Sequence, residues 1–333
     1  MMRRGLAQGG LLGFLALACT SCGARFQSAL HPQGPQAAAL TKLIWSFTAI
    51  CAAIWMLVML VLLFALWRRH VASDERHERR STVFVSVALA ATTLIIGGLT
   101  FMSYAATRDL SDSAQDAVVI RLRGYQWWWE VTYTDSRPDR TFTTANEIHI
   151  PLHRPVRLEL TAADVIHSFW LPNLMGKQDL LPGRSNTLTF VADTAGAYRA
   201  QCAEFCGMQH AHMALLVIAE DASAFDTWRR AQRAEAPAPQ TPEQEAGQSF
   251  FTENACGACH TVRGTSANGR LGPDLTHVAS RRTIAAGLLP TTRGSLAAWV
   301  ADPQTVKPGN NMPLVSMTSD QLQAVSGWLA SLQ

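Results

Sequence analysis

The segment CAEFCGMQHAHM, residues 202–213, carries the densest chemistry of the chain and decides how its middle part must fold. Thiolate, imidazole and thioether groups form a soft ligand set that favours copper or zinc among the common metals. A mononuclear blue-copper site needs one cysteine, two histidines and a weak methionine ligand. Here Cys206 follows Cys202 by four residues, so two thiolates on one short loop can bridge two copper ions. A structural zinc site is the alternative, but zinc ligands are typically cysteine, histidine and carboxylates rather than methionine.

The residues around this loop have the pattern of short β-strands. Residues 116–226 contain several such runs, separated by proline, glycine, aspartate and asparagine, and this spacing predicts an all-β sandwich or barrel. The segment DVIHSFW lies between two of these runs and offers a second imidazole, His167. In the run GYQWWW, residues 124–129, strand alternation would place Trp127 and Trp129 on one face.

Two long apolar spans precede the β region, at residues 43–67 and 82–104. Each is long enough to cross the ~30 Å hydrocarbon layer as a helix. The connection between them is rich in arginine, which predicts that it lies in the cytoplasm and that both ends of the chain lie outside. We therefore predict a transmembrane hairpin over residues 43–104. A buried hairpin in a soluble protein is the alternative.

Residues 1–22 have the layout of a secretory signal, with two arginines, an apolar stretch and then small residues. Lipid attachment is predicted at Cys22, with Cys19 as the competing position, and cleavage without any lipid as the alternative. The net charge of +3 is too small for a protein held on nucleic acid by a basic field, so no nucleic-acid partner is expected.

The C-terminal part begins with a proline-rich linker, residues 233–243, that should be semi-extended. Residues 244–333 have a mainly helical pattern, and we expect Ser319 to be the N-cap of the last helix. Between residues 116 and 226 there are nine Lys and Arg against thirteen Asp and Glu, a net of −4. Between residues 244 and 333 there are six against five, a net of +1. This difference predicts a weak attraction between the two regions.

The sequence CGACH, residues 256–260, is a C-x-x-C-H haem attachment pattern. Cys256 and Cys259 would bind the haem covalently, and His260 would be an axial ligand of its iron. A methionine on the opposite side raises the potential into the electron-transfer range. Met312 lies in an Asn-Asn-Met-Pro segment that resembles the distal loop of small c-type cytochromes, and this resemblance favours it over its competitor, Met317. For the C-x-x-C-H pattern alone, a thiol redox pair is the alternative.

These motifs together resemble subunit II of the cytochrome c oxidases, in the caa-type form with a fused C-terminal cytochrome c domain. The resemblance covers essentially the whole chain, and it is carried by HSFW followed by C-x-E-x-C-x-x-x-H-x-x-M, by GYQWWW, by DLLPGR and by LGPDL. It implies a cupredoxin-like Greek-key barrel for residues 116–226. For residues 244–333 it implies an all-α class I cytochrome c domain.

The resemblance also implies a dinuclear copper centre, CuA. Its ligands would be His167, Cys202, Cys206, His210, Met213 and the backbone carbonyl of Glu204. The Glu204 carboxylate would face a magnesium or manganese ion at the border with subunit I, and Trp127 would be the entry point for electrons. His212 would be a surface residue or would lie behind the ligands.

The implied function is that of subunit II of a terminal respiratory oxidase in a bacterial cytoplasmic membrane, with both redox domains on the periplasmic side. Electrons from cytochrome c or another periplasmic donor would pass from haem c to CuA and then to subunit I. Reduction of oxygen to water and proton pumping would occur there, and subunit III would be a further partner in the bilayer. One departure is that the family often has a carboxylate at the start of the second membrane helix, where the nearest residue here, Glu78, is displaced.

Three other functions fit parts of the sequence. A quinol-oxidase subunit would lack the copper ligands, and the copper domain of a nitrous-oxide reductase would lack the membrane hairpin. A module that only stores copper or haem would carry the same motifs, but it would not pass electrons to an oxidase.

Overall fold

The computed structural model of this 333-residue chain describes residues 27–68, 75–109 and 116–333. The predicted leader, residues 1–22, and its lipidation candidates Cys22 and Cys19 lie outside the described residues.

Two long helices open the described chain: α1, Pro35–Arg68, and α2, Glu75–Asp109. Both are long and apolar enough to cross a membrane, and almost none of their apolar surface is buried by the rest of the chain. A helix of 34 residues rises about 51 Å at 1.5 Å per residue, more than the ~30 Å hydrocarbon layer. Each helix therefore extends beyond its predicted apolar span, 43–67 or 82–104, at both ends.

The segment before α1 and the first turn of α1 pack on the β domain and hold it beside one end of the hairpin. The side-chain oxygen of Gln36 accepts a hydrogen bond from the Val191 N–H at 3.1 Å. The side chain of Asn173 donates to the His31 carbonyl at 3.0 Å. A Cβ at Gly34 would lie 2.1 Å from the Val191 carbonyl oxygen, so only glycine fits this contact.

Residues 118–220 form ten strands in two five-stranded sheets. In chain order the strands are β1 Val118–Tyr125, β2 Trp128–Tyr133, β3 Phe142–Ala145, β4 Glu147–Pro151, β5 Val156–Ala162, β6 His167–Trp170, β7 Lys177–Leu180, β8 Asn186–Phe190, β9 Gly196–Cys202 and β10 Ala214–Glu220. The sheet orders are β3-β2-β1-β5-β8 and β4-β10-β9-β6-β7. Strand β1 is parallel to β5 and β4 is parallel to β10, pairings that require the chain to cross between sheets.

The core lies between the two sheets and follows the period of two expected for strands. Ile120 and Leu122 of β1 and Leu158 and Leu160 of β5 are fully buried, while the residues between them are more exposed. The predicted cupredoxin-like all-β fold is confirmed as a sandwich of two sheets. Helix α3, Ala222–Ala231, follows the last strand and is capped by Asp221.

The C-terminal region is helical, as predicted. Its helices are α4 Pro242–Glu253, α5 Cys256–Cys259, α6 Arg293–Ala301, α7 Pro303–Val306 and α8 Ser319–Leu329, and a short ribbon pairs β11 Thr283–Ile284 with β12 Leu289–Pro290. The prediction that Ser319 caps the last helix was wrong. Thr318 is the N-cap, because its hydroxyl accepts from the Gln321 N–H while the Gln321 side chain accepts from the Thr318 N–H.

The predicted linker, residues 233–243, is tied to the helical region. The Ala236 N–H donates to the Arg263 carbonyl at 2.9 Å, and the Arg263 guanidinium donates to the Gln232 carbonyl at 2.6 Å. The start of this segment therefore follows the surface of the C-terminal domain.

Candidate functional site

The loop between β9 and β10 is closed at its base, because these two strands are antiparallel neighbours. The Cys202 N–H donates to the Met213 carbonyl at 2.9 Å. His167 begins strand β6, in which Phe169 pairs with Cys202 of β9. The topology of the second sheet thus brings the loop and the distant imidazole to one end of the sandwich.

Five of the side chains predicted to bind copper converge there. The Cys202 sulfur lies 3.7 Å from the Cys206 sulfur and 3.9 Å from His167 Nδ1. The Cys206 sulfur lies 3.7 Å from His210 Nδ1 and 3.9 Å from the Met213 sulfur. Each thiol thus has an imidazole of its own. Since metal–thiolate bonds are about 2.3 Å long, two sulfurs at this separation can share a metal ion, and the residues fit a bridged copper pair.

Both thiols are buried and their protonation is linked. The hydrogen bond between them is the main reason that the pKa of Cys202 is lowered and that of Cys206 is raised. Burial lowers the pKa of His167, but its hydrogen bonds to Cys202 and Asp164 outweigh this effect and the pKa is raised.

Asp164, which the sequence interpretation passed over, orients this imidazole. Its Oδ1 lies 2.9 Å from His167 Nε2, and its Oδ2 accepts from the Gln126 N–H at 2.7 Å. The ring is thereby held with Nδ1 toward the thiols, the usual arrangement behind a metal-binding histidine. Gly124 packs on the ring, where a Cβ would lie 2.8 Å from His167 Cδ2.

Glu204 and His212 are exposed at the edge of the loop. The Glu204 carbonyl oxygen lies 3.2 Å from the Cys202 sulfur, on the side of the candidate metal centre. Among the described residues, the one cluster of histidine, cysteine or carboxylate groups close enough to share an ion is His167, Cys202 and Cys206.

Trp127 is buried against the loop between β9 and β10 (residues 203–213, the copper loop). Its indole N–H donates to the Cys206 carbonyl at 2.9 Å, and the Gln126 side chain donates to the same oxygen at 2.7 Å. Trp127 lies in the turn between β1 and β2 and not on a strand, so the prediction from strand alternation was wrong about its secondary structure. Trp127 and Trp129 are nevertheless both buried. Gly207 has φ +113° and leaves room for the indole.

A cavity of about 620 Å³ opens in the C-terminal domain. Its lining includes the four residues predicted to hold haem, Cys256, Cys259, His260 and Met312, and also the competitor Met317. The Pro273 carbonyl lies 2.8 Å from His260 Nδ1, which leaves Nε2 for an iron ion. Burial lowers the pKa of His260, so the ring stays neutral as a ligand must.

The cavity also fits the rest of a haem group. Most of its lining is apolar, as a macrocycle requires. Arg281 Nε and Thr283 Oγ1 line it and find no hydrogen-bond partner within the part of the chain that the structure describes. These buried polar atoms suit the two propionates. Gly272 covers the proximal side, where a Cβ would lie 2.5 Å from His260 Cε1.

The same cavity reaches the β domain, because Tyr125, Gln126, Trp127 and Trp128 line it as well. Trp127 therefore contacts both the haem cavity and the carbonyl of Cys206. Lys307 is a further lining residue that the sequence interpretation missed. Burial lowers its pKa to about 7, whereas three carbonyl oxygens around Nζ favour its protonated form.

Comparison with known proteins separates the chain into two matched regions. Residues 118–220 match the family described as cytochrome C oxidase subunit II, periplasmic domain, and residues 244–333 match the cytochrome c family. The chain is 32% identical to cytochrome c oxidase subunit 2 of Alkalihalophilus pseudofirmus, over 97% of this chain and 96% of that protein. It is 32% identical to cytochrome c oxidase subunit 2 of Bacillus sp. strain PS3, over 71% of this chain and 68% of that one. The crystal structure of the periplasmic domain of subunit II of cytochrome oxidase from Bradyrhizobium japonicum is 30% identical, covers 36% of this chain and 96% of that one, and has a TM-score of 0.33.

Proposed function

The chain belongs to the cytochrome c oxidase subunit II family and carries a C-terminal cytochrome c domain, and we propose that it receives electrons at haem c, passes them to CuA and delivers them to the haem of subunit I. Reduction of oxygen to water and proton pumping would take place in that partner. When bound, the copper ions and the haem supply the one-electron redox chemistry.

The observation that carries this proposal is the position of Trp127. Trp127 lines the cavity of the cytochrome c domain, and its indole N–H donates to the carbonyl of Cys206. Only 9% of its surface is exposed, so water is largely excluded from this contact. A residue that lines the haem cavity and hydrogen-bonds the carbonyl of Cys206 would give a short covalent and hydrogen-bonded route between the two centres.

The protein's residues would hold the two centres in fixed geometry. His167, His210, Met213 and the carbonyl of Glu204 would complete the coordination of two coppers bridged by Cys202 and Cys206. Cys256 and Cys259 would attach the haem, with His260 and Met312 as axial ligands. The buried thiols and the packed imidazole rings leave the ligands little freedom to move, which suits electron transfer with small change of geometry.

The expected partners follow from the same family membership. Subunit I would bind the exposed side of the copper loop, where Glu204 would share a magnesium or manganese ion with it. Subunit III would lie in the same membrane complex, and cytochrome c or another periplasmic protein would be the donor. The two apolar helices support anchoring in a bacterial cytoplasmic membrane with the redox domains, and both chain termini, on the periplasmic side.

Trp127→Phe in the assembled oxidase tests the route. This substitution removes the N–H bonded to Cys206, so transfer from haem c to copper should slow after rapid photoreduction of the haem, with copper and haem content unchanged. Trp128→Phe is the matched control, since Trp128 lines the same cavity but stacks on Tyr125, with ring centroids 4.6 Å apart. Equal transfer rates in both variants and the wild type would contradict the proposed route.

A further inference from the structure

Lys307 is an unusual residue of the cytochrome c domain. The chain has three lysines, so 25 of its 28 basic side chains are arginines. Lys42 and Lys177 are exposed, whereas Lys307 is 2% exposed and lies between α7 and Met312. A lysine is rarely buried to this degree unless its charge has partners.

The partners of Lys307 are three backbone carbonyls from three separate segments. Its Nζ donates to Trp127 O at 2.8 Å, to His212 O at 2.8 Å and to Ala285 O at 3.1 Å. Trp127 and His212 belong to the β domain (residues 118–220, the copper domain), and Ala285 belongs to the turn of the β11–β12 ribbon. None of the ion pairs formed by the described residues includes Lys307, so backbone carbonyls alone solvate its charge.

The chemistry of this contact requires lysine. An ammonium group has three N–H donors on one atom, and all three find acceptors here. A guanidinium group is planar and wider, and it cannot direct three donors to the same three oxygens from this position. Because the carbonyls come from different segments, the ammonium fixes the relative position of the copper loop, the Trp127 turn and the haem domain at once.

Further contacts surround Lys307 at this interface. The Gln209 side chain donates to the Pro308 carbonyl at 2.8 Å, and the Ala214 N–H donates to Ala286 O at 2.9 Å. The Arg282 N–H donates to the Glu147 carboxylate at 2.9 Å. Most of these bonds involve backbone atoms, which cannot adapt by changing rotamer. They define one docked arrangement of the domains.

We propose that Lys307 is the positioning residue that locks the cytochrome c domain onto the copper domain, with Trp127 held between the haem cavity and the copper loop. This role builds on the proposed electron route, but the docking itself can be measured without electron transfer. If the docked arrangement is required, the rate of transfer from haem to copper is proportional to the fraction of molecules in that arrangement.

The test uses the assembled oxidase with Lys307→Met, which keeps an unbranched side chain one atom shorter and without donors, and Lys307→Arg, which keeps the charge. Lys177→Met is the control on an exposed lysine. We expect both Lys307 variants to slow transfer from haem c to copper by about tenfold or more, since net hydrogen-bond contributions of about 1 kcal/mol each are lost. The spectra of both centres should stay unchanged in both variants. The reduction potentials should stay unchanged in Lys307→Arg, which keeps the buried charge, and Lys177→Met should transfer at the wild-type rate.

Hydrogen exchange gives an independent measure of docking. The amides of Ala214 and Arg282 bond across the interface, so their segments should exchange faster in Lys307→Met than in Lys177→Met. Faster exchange with an unchanged transfer rate would contradict the electron route but keep the docking role. Wild-type exchange together with wild-type transfer would overturn the role of Lys307. If Lys307→Met does not assemble, Lys307→Gln, which retains two donors, is measured by the same two methods.

Discussion

Replacing Asp164 tests how the imidazole of His167 is held against the thiols. Asp164 Oδ1 lies 2.9 Å from His167 Nε2 and accepts from the Val165 N–H at 2.7 Å, while Oδ2 accepts from the Gln126 N–H at 2.7 Å. Asparagine can place its single oxygen on only one of these sides, and alanine offers no acceptor. Loss of a group that orients a metal ligand typically costs about 10–100-fold in affinity, or roughly 1.4–2.7 kcal/mol. For Asp164→Asn we expect a loss of copper affinity near the lower limit of this range, because the asparagine oxygen can still face His167. For Asp164→Ala we expect a loss near the upper limit.

Copper affinity is measured on the purified chain by competition with a chelator of known affinity, with the optical spectrum as a second readout. Asp193→Asn is a matched control, because Asp193 lies 3.7 Å from His153 Nδ1 in an ion pair that is more than half exposed on both sides. An ion pair this exposed contributes little to the stability of the fold, so Asp193→Asn should bind copper with the wild-type affinity. Wild-type affinity in Asp164→Ala, or an equal loss in Asp193→Asn, would refute the orienting role.

Two further predictions concern the cytochrome c domain. Gly247→Ala places a Cβ 2.2 Å from the Ala324 carbonyl oxygen, where α4 meets α8, and should lower the free energy of unfolding by about 1–3 kcal/mol. A Cβ at Gly294 would meet no atom closer than 3.9 Å, so Gly294→Ala should leave stability unchanged or raise it. Thermal unfolding distinguishes the two variants, because the midpoint temperature shifts by about 4–8 °C for each kcal/mol of stability. Met312→Leu should abolish the spectrum of a methionine-ligated haem and lower its reduction potential, whereas Met317→Leu should change neither. The opposite result would make Met317 the ligand.

Local spacing was sufficient to predict the parts of the site that one short segment supplies. Five predicted copper ligands, from Cys202 to Met213 and including the carbonyl of Glu204, lie on one short segment, and the C-x-x-C-H pattern lies on one helical turn. The spacing of short β-rich runs between turn-forming residues predicted the β domain, because each strand is short and ends at a local turn. The membrane helices were predicted by length and composition, but both helices continue beyond the predicted apolar spans.

The features that sequence reasoning missed depend on contacts between distant segments. Asp164 precedes His167 by three residues, and this spacing was the available signal for an orienting carboxylate. The position of Trp127 could not be predicted from alternation, since β1 ends at Tyr125 and β2 begins at Trp128. No periodic pattern indicates where a turn interrupts a run of aromatic residues.

The docking of the two domains shows why net charge was a poor guide. The charges of −4 and +1 predicted only a weak attraction, yet the interface is built from individual hydrogen bonds that a charge count does not register. The ammonium of Lys307 meets carbonyl dipoles, and the Arg282 contact uses its backbone N–H instead of its guanidinium. Surface charges are solvated in either arrangement, so their sum changes little on docking. A buried ammonium, in contrast, is stable only where its acceptors stand in position, and it therefore selects one arrangement of the domains. In a chain that otherwise uses arginine almost throughout, a lysine five residues before Met312 was the sequence signal for that interface.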